Sequence, residues 1–409
     1  MISVPFNFFL VSLFKFVEYA SFPILNIFLV YLLSSVEYAN YAFFITLLFS
    51  IISILPLGTS DLVLKRGFNY KSGEFSPKKY LTFIKSTHFI FLFTSLIYSL
   101  IFSFFSFENE LLSLLFFSPV LSLLILHSKI FQSLRLFALS SFSASFFKLT
   151  FVFSTLLFYY LGFFNLKYIF YTSIALVIFL ISYNFHKIYY ITSISNNRFN
   201  FFRYTHFFHI LRSSFGFLAY NLIQIIKNYG EIFLLAFLGS SIDLASFHIS
   251  YTLSLSPILF STIFLTFFSP IFALQAKSSK YAIFLTYQRL RFYIILFSII
   301  LYLFIFLFIT FFLLPNLDQS YSSILSLFSI LVAARIPSVL IGPANHFLQF
   351  FNDHIFLNKL LSYYSIFKIV SAIVFFYFFN IYGVCFSILI SNVIYSFFLY
   401  KRILFFRRF

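Results

Sequence analysis

The chain has 409 residues, 62% of them hydrophobic, with 74 Phe, 29 Tyr, no Trp and a single Cys, Cys385, while Asp, Glu, Lys and Arg together make up only 9%. Soluble domains carry about a quarter of their residues charged, so a soluble chain is excluded, and one Cys excludes a disulfide framework or a Cys-based metal site. The formal net charge of +17 would suggest nucleic acid in a soluble protein; here the placement of the charges decides.

About twenty apolar residues span a bilayer as a helix. Apolar runs lie at roughly 6–33, 38–63, 84–106, 111–134, 137–161 and 164–186, and again at roughly 210–238, 244–274, 290–314, 322–350, 357–379 and 383–400. They predict an all-α polytopic membrane protein with about 12 transmembrane helices. The first run is too long for a cleavable signal peptide, opens without a basic segment, and contains Lys15 and Glu18.

Basic residues sort by side. The even-numbered connections and the tail hold Lys65, Arg66, Lys71, Lys78, Lys79, Lys129, Arg135, Lys187, Arg198, Arg203, Arg212, Lys277, Lys280, Arg289, Arg291, Lys359, Lys401, Arg402, Arg407 and Arg408. The odd-numbered ones hold Glu37, Glu108, Glu110, Asp243 and Asp318, with Lys167 as their one base. Cytoplasmic loops carry the Lys and Arg, so both termini are expected in the cytoplasm, and the charge excess is topological, with no nucleic-acid partner. The longest connection, 187–209, reads as an interfacial cytoplasmic linker rich in Tyr and Phe. The expected organisation is a six-helix bundle over 1–186, this linker, and a second six-helix bundle over 210–409 with a basic tail.

The halves repeat. LLSSVEYANYA at 32–42 aligns without gaps on LGSSIDLASFH at 238–248, and FFNL at 163–166 is echoed by FFNI at 378–381. Six helices separate the first two copies, so the repeat is parallel, with its axis along the membrane normal. Transporters use such repeats to build a central site.

EYANYA at 37–42, LGTSD at 57–61 followed by Lys65 and Arg66, EIFLLAFLGSSIDLASF at 231–247, GPANHFLQFFNDH at 342–354 and GVCFSILISN at 383–392 together resemble the O-antigen (Wzx-type) polysaccharide flippases. These belong to the multidrug/oligosaccharidyl-lipid/polysaccharide exporter superfamily, and the likeness runs over essentially the whole chain, with Ala39 where the family usually has Gly. The resemblance implies two six-helix bundles in the bacterial inner membrane. It implies a flippase that moves an undecaprenyl-pyrophosphate-linked glycan, an O-antigen repeat unit, outward by alternating access among membrane lipids. Proton or sodium coupling and a polysaccharide polymerase partner are further expectations.

Seven ionisable residues fall inside predicted spans: Lys15, Glu18, Lys148, Lys227, Glu231, Arg335 and Lys368. Each would cost about 2.5–3.5 kcal/mol at a lipid-facing helix centre, so together they approach the stability of a whole domain and are expected to face protein or a wet cavity. Five cations against two acids suit a cavity that carries pyrophosphate or acidic sugars, and Arg can grip phosphate oxygens bidentately. Lys15, Lys148, Lys227, Arg335 and Lys368 are therefore the candidate substrate-binding residues. Lys15 with Glu18 and Lys227 with Glu231 share helix faces at i,i+3 and i,i+4, and either pair reads as an ion pair that permits insertion. Glu231 and Glu18 read equally as ion-coupling residues. Lys148, Arg335 and Lys368 have no acid at helical spacing, so their partners are distant residues or substrate, or, for Lys368, the interface by snorkelling.

Asp61 is explained by a local salt bridge to Lys65 or Arg66. His88, His127 and His248 read as hydrogen-bonded packing residues; no metal site and no cofactor are expected. Gly342 and Pro343 should break the tenth helix ahead of Asn345 and His346, and Pro56, Pro119, Pro257, Pro270 and Pro337 are kink positions. Tyr220 and Tyr251 are candidates for stacking on sugar. No catalytic motif is present and an enzyme is not expected. The alternatives are a membrane polysaccharide polymerase, which should carry a large outer loop, and a drug/cation antiporter, which needs buried acids.

Overall fold

The computed structural model describes residues 4–64, 77–105, 110–193, 204–257, 261, 264, 280–350 and 353–407. Lys65, Arg66, Lys71, Glu108, Arg198, Arg203, Pro270, Lys277 and Arg408 lie outside the described residues, as does most of 258–274. The described helices are α1 (Val4–Leu32), α2 (Ser35–Ile54), α3 (Pro77–Ser103), α4 (Ser118–Ser133), α5 (Phe137–Tyr160) and α6 (Leu166–Ser193). They continue with α7 (Tyr204–Leu238), α8 (Ser241–Ser254), α9 (Lys280–Phe308), α10 (Ile324–Ile341) and the continuous element His354–Arg407.

Nine of the described helices are long and apolar enough to cross a membrane. The last is two spans. At 1.5 Å per residue a straight helix over His354–Arg407 would be about 80 Å long, more than twice the hydrocarbon thickness. Asn380 breaks it, with φ 49° and ψ −136°. A Cβ on Gly383 would run into the Phe375 carbonyl, so the backbone turns back on itself here. Cross-bonds between the arms follow: Tyr364 Oη donates to Asn392 Oδ1 at 2.8 Å, and the Ser371 and Ser387 hydroxyls lie 2.9 Å apart. The arms are α11 (354–379) and α12 (381–407). With α7, whose polar residues keep it out of the apolar set, and α8, the chain has the expected twelve or so helices.

Helix ends fall where local chemistry puts them. Gly342 (φ 68°) stops α10 before the short helix Ala344–Phe350, the break that Gly342 and Pro343 announce. Leu57 and Gly58 take positive φ just after Pro56. α6 runs well past the expected 186, because a helix can continue its polar end beyond the hydrocarbon.

The repeated motif is a capping box in both halves. Ser240 Oγ accepts from the Asp243 amide at 3.1 Å while Asp243 accepts from the Ser240 amide at 3.2 Å and hydroxyl at 2.7 Å. Ser34 and Glu37 repeat this at the start of α2, with the Ser34 amide 3.0 Å and hydroxyl 2.8 Å from Glu37. The aligned acids thus satisfy helix N-termini. Replacing Ser240 with alanine should cost about 1 kcal/mol, read as a lower thermal midpoint of the purified protein in detergent; an unchanged midpoint would mean the cap contributes nothing.

Contacts divide the chain into two compact units, 1–21 with 44–222, and 22–43 with 223–409. The C-terminal part of α1 and the N-terminal part of α2 thus group with the second half, and the first part of α7 with the first. In the first unit, α4, α5 and α6 pack on one another through small residues that allow close approach. Ser128 donates to the Ser140 carbonyl at 2.8 Å and Asn184 to Ser143 Oγ at 3.2 Å. In the second unit α10 packs on α8 and on the α11–α12 pair. Tyr38 of α2 meets His248 of α8, Oη to Nδ1, at 3.0 Å.

Candidate functional site: buried cationic clusters

The seven charges form two clusters, one in each unit. In the first, Lys15 and Glu18 on α1 are ion-paired at 2.6 Å, as the i,i+3 spacing predicts. Lys148 of α5 donates to the Glu18 backbone carbonyl at 3.3 Å. Its ammonium also lies 5.8 Å from the Tyr19 ring centre and 5.9 Å from that of Phe49. Three charges leave this cluster at net +1.

The second cluster is richer and deeper. Lys368 of α11 forms the ion pair with Glu231 of α7, the two side chains being 2% and 1% exposed. Lys368 also donates to the backbone carbonyl of Lys227. Two expectations are corrected here. Lys227 is not the ion-pair partner of Glu231; spacing on one helix says which residues can meet, whereas a lysine from a neighbouring helix reaches the acid head-on. Lys368 does not snorkel to an interface, because its ammonium is held by two acceptors on α7. Apart from that ion pair, neither carboxylate oxygen of Glu231 has a hydrogen-bond partner among the described residues.

Among the described residues, Lys227 and Arg335 have no acid partner. The Lys227 ammonium lies 6.0 Å from the Tyr395 ring centre and within electrostatic range of Lys368 and Arg335. The Arg335 guanidinium sits 5.2 Å from the centre of the Tyr251 ring. Its Nε and Nη2 are buried with no hydrogen-bond partner among the described residues. Buried polar groups are paired as a rule, so two orphaned guanidinium nitrogens mark a position built for an acceptor from elsewhere. Tyrosines frame the cluster. Tyr364 and Tyr395 lie 4.8 Å apart, ring to ring, and Tyr395 Oη donates to Asn345 Oδ1 at 3.0 Å, just past the break at Gly342. Three cations against one carboxylate leave net +2.

The clusters share a plan that sequence alignment did not expose. In each half the first helix carries a lysine and a glutamate one turn apart, and the fifth helix supplies a second lysine to it: Lys15, Glu18 and Lys148, then Lys227, Glu231 and Lys368. Only helix order carries this signal, because the residues do not fall at the constant offset of the sequence repeat.

Other candidates separate from these clusters. Asp61 pairs with Lys129 of α4 at 3.2 Å and accepts from Asn221 at 3.4 Å; the expected partners Lys65 and Arg66 lie outside the described residues. Tyr251 is buried beneath Arg335, while Tyr220 is exposed. His88 and His127 are not isolated packing residues; they contact each other. Among the described residues no group of three or more metal-binding side chains occurs.

No family profile matches the chain, and no curated protein is similar to it. Solved structures are. A multidrug resistance MATE family transporter of the MOP superfamily, in an outward-facing conformation, is 14% identical over 98% of this chain and 96% of its own, with a TM-score of 0.62. A MATE protein in complex with MaL6 is 13% identical over 98% and 97%, with a TM-score of 0.60. A MATE protein in a straight conformation is 15% identical over 98% and 97%, with a TM-score of 0.56. At this identity the likeness is one of fold: the chain has the helix arrangement of these transporters along nearly its whole length.

Proposed function

We propose that this chain is a membrane transporter that carries a pyrophosphate-linked glycolipid, an O-antigen-type repeat unit on a polyprenyl carrier, across the bacterial inner membrane by alternating access. The observation that carries the reading is the second cluster, with Lys227, Arg335 and Lys368 gathered around a single carboxylate. In low dielectric a fixed excess of positive charge favours an anionic cargo. Arg335 supplies unfilled donors in the fork geometry that suits phosphate oxygens, with Tyr251 held against it, and Tyr364 and Tyr395 are the aromatic rings beside it for a sugar. The first cluster, with Lys15, Lys148 and the Glu18 carboxylate, adds a second cationic position of lower charge. The carrier's lipid tail would stay in the bilayer while the charged head crosses.

A drug/cation antiporter is the second reading, favoured by the multidrug transporters that share the fold. Such a site needs buried carboxylates open to a cation, and Glu18 and Glu231 are both already paired with lysine. Complementation of a bacterium lacking its own O-unit flippase tests the proposal. The expected result is restored surface polymer with fewer lipid-linked units left in the cytoplasmic leaflet. Units that reach the outer leaflet unaided, but polymerise only when this protein is added, would replace the proposal with a polymerase.

A further inference from the structure

His88 of α3 and His127 of α4 form a buried pair that neither cationic cluster uses. Their Nε2 atoms lie 3.2 Å apart. Phe185 of α6 packs on both rings, with centre distances of 5.3 Å and 4.5 Å. His127 is 0% exposed.

The hydrogen bonds fix where the protons sit. His88 Nδ1 lies 2.9 Å from the Ile84 carbonyl. A carbonyl only accepts, so Nδ1 carries the hydrogen, and in the neutral ring Nε2 is then a bare acceptor. His127 Nε2 must therefore donate across the 3.2 Å gap, which leaves His127 Nδ1 as a lone pair. That atom is buried and has no hydrogen-bond partner among the described residues. The pair is thus a short proton wire with an empty acceptor at its end.

We propose that the His88–His127 pair binds one proton, at His127 Nδ1, and that this is the proton coupled to transport; the second clause rests on the transport reading above. Uptake moves one proton from water onto the nitrogen lone pair and leaves a single positive charge on the pair. A second proton would set two imidazolium rings 3.2 Å apart, so the stoichiometry is one.

Among the described residues, the hydrogen bonds and ion pairs around the pair are already taken. Asp61 and Lys129 neutralise each other at 3.2 Å. On α6, Asn184 donates to Ser143 and Phe185 presents only its ring. On α3, the Ser86 and Thr87 hydroxyls bond their own backbone and Lys85 is exposed. The titratable group seen in contact with His127 is His88. The closed pair is therefore suited to the neutral form, and any state that wets it takes the proton better. A ligand shifts a conformational equilibrium only through such differential affinity, and here the ligand is the proton.

The acids do not compete for this role. Glu18, Glu231, Asp61 and Asp353 are held by Lys15, Lys368, Lys129 and Arg402. The remaining described acids sit at helix ends: Glu37 and Asp243 in capping boxes, Glu110 against Lys167, and Asp318 in a turn. His248 is tied to Tyr38. The inference therefore moves the coupling role away from Glu231 and Glu18.

The chain has no Trp, so a Phe185→Trp variant places one reporter against both rings, and an adjacent imidazolium quenches indole emission. In lipid nanodiscs, Phe185→Trp should show a reversible one-proton quench between about pH 4 and 7, the acid side of the range in which imidazole changes charge, because the closed pair disfavours the charged form. The same reporter with His88→Gln and His127→Gln should stay flat. No transition in Phe185→Trp alone, or the same transition without the histidines, overturns the site. With Phe185 intact, proton uptake over that range should exceed that of His88→Gln/His127→Gln by one proton per chain; a difference of zero or two overturns it equally. Neither measurement involves a substrate, so both stand apart from the glycolipid proposal. For coupling, the double glutamine variant should lose complementation at equal protein level; full rescue by it refutes the coupling role while leaving the transport reading in place.

Discussion

Glu231→Ala, with Lys368 left in place, should cost about 3–5 kcal/mol, because it strands a buried ammonium whose counter-charge has gone. Lys368 would keep the Lys227 carbonyl and the face of the Tyr364 ring as partners, neither of which carries a counter-charge. The expected readout is a large drop in the thermal midpoint of the purified protein and lower membrane abundance. Lys368→Met should do comparable damage from the other side, leaving the carboxylate without its ion pair. Combining Glu231→Leu with Lys368→Met removes both charges together, and a buried ion pair replaced by apolar residues of similar volume is often neutral or better. The double variant should therefore recover most of the stability, in strong departure from additivity. Two single variants that each melt like the unmodified protein would show that the pair is not the buried, desolvated contact described above.

Arg335→Ala should behave in the opposite way. Its Nε and Nη2 have no hydrogen-bond partner to strand among the described residues, and what is lost is mainly the contact with Tyr251. Abundance and thermal midpoint should stay near those of the unmodified protein, while transport falls steeply. Charge-assisted hydrogen bonds are worth about 1.5–3 kcal/mol each, so losing even one to a phosphate oxygen predicts at least about a tenfold drop in cargo affinity. Arg335→Lys keeps the charge but not the fork and should retain part of the activity. Surface polymer in the complemented host, normalised to protein level, measures both. Unimpaired polymer with Arg335→Ala would remove Arg335 from the binding site.

Much of the architecture can be read from the chain because a bilayer forces it. Backbone groups in hydrocarbon must bond within their own segment, so long apolar runs become helices, and the breaks fall at Pro56, at Gly342 with Pro343, and at the FFNI echo that ends in the turn at Asn380. The cationic residues were legible too, since a charge inside an apolar run must have a reason to be there. Their partners were not. Lys227 and Glu231 are one turn apart, yet Glu231 is claimed by Lys368, and nothing in the spacing reveals which face of α11 meets α7. The acidic match between Glu37 and Asp243 pointed correctly to a repeat, but its physical content is helix capping. The His88–His127 contact had no sequence signal, because the two lie on separate helices whose rotation about their axes is set by packing. Tyr251 was picked as a sugar platform from its residue type alone; its ring instead carries Arg335, which places it at the site by a different contact.

Recognition of pyrophosphate by the second cluster is what the proposed function requires. The most direct measurement is the thermal shift of the purified protein in nanodiscs loaded with undecaprenyl pyrophosphate, undecaprenol, or a lipophilic quaternary ammonium compound. A ligand that binds the folded state raises the melting temperature, the more so the further its concentration exceeds its Kd. The pyrophosphate lipid should raise it, the neutral alcohol and the cation should not, and Arg335→Ala should abolish the rise. Equal stabilisation by the alcohol, stabilisation by the cation alone, or a pyrophosphate effect that survives Arg335→Ala would contradict the account.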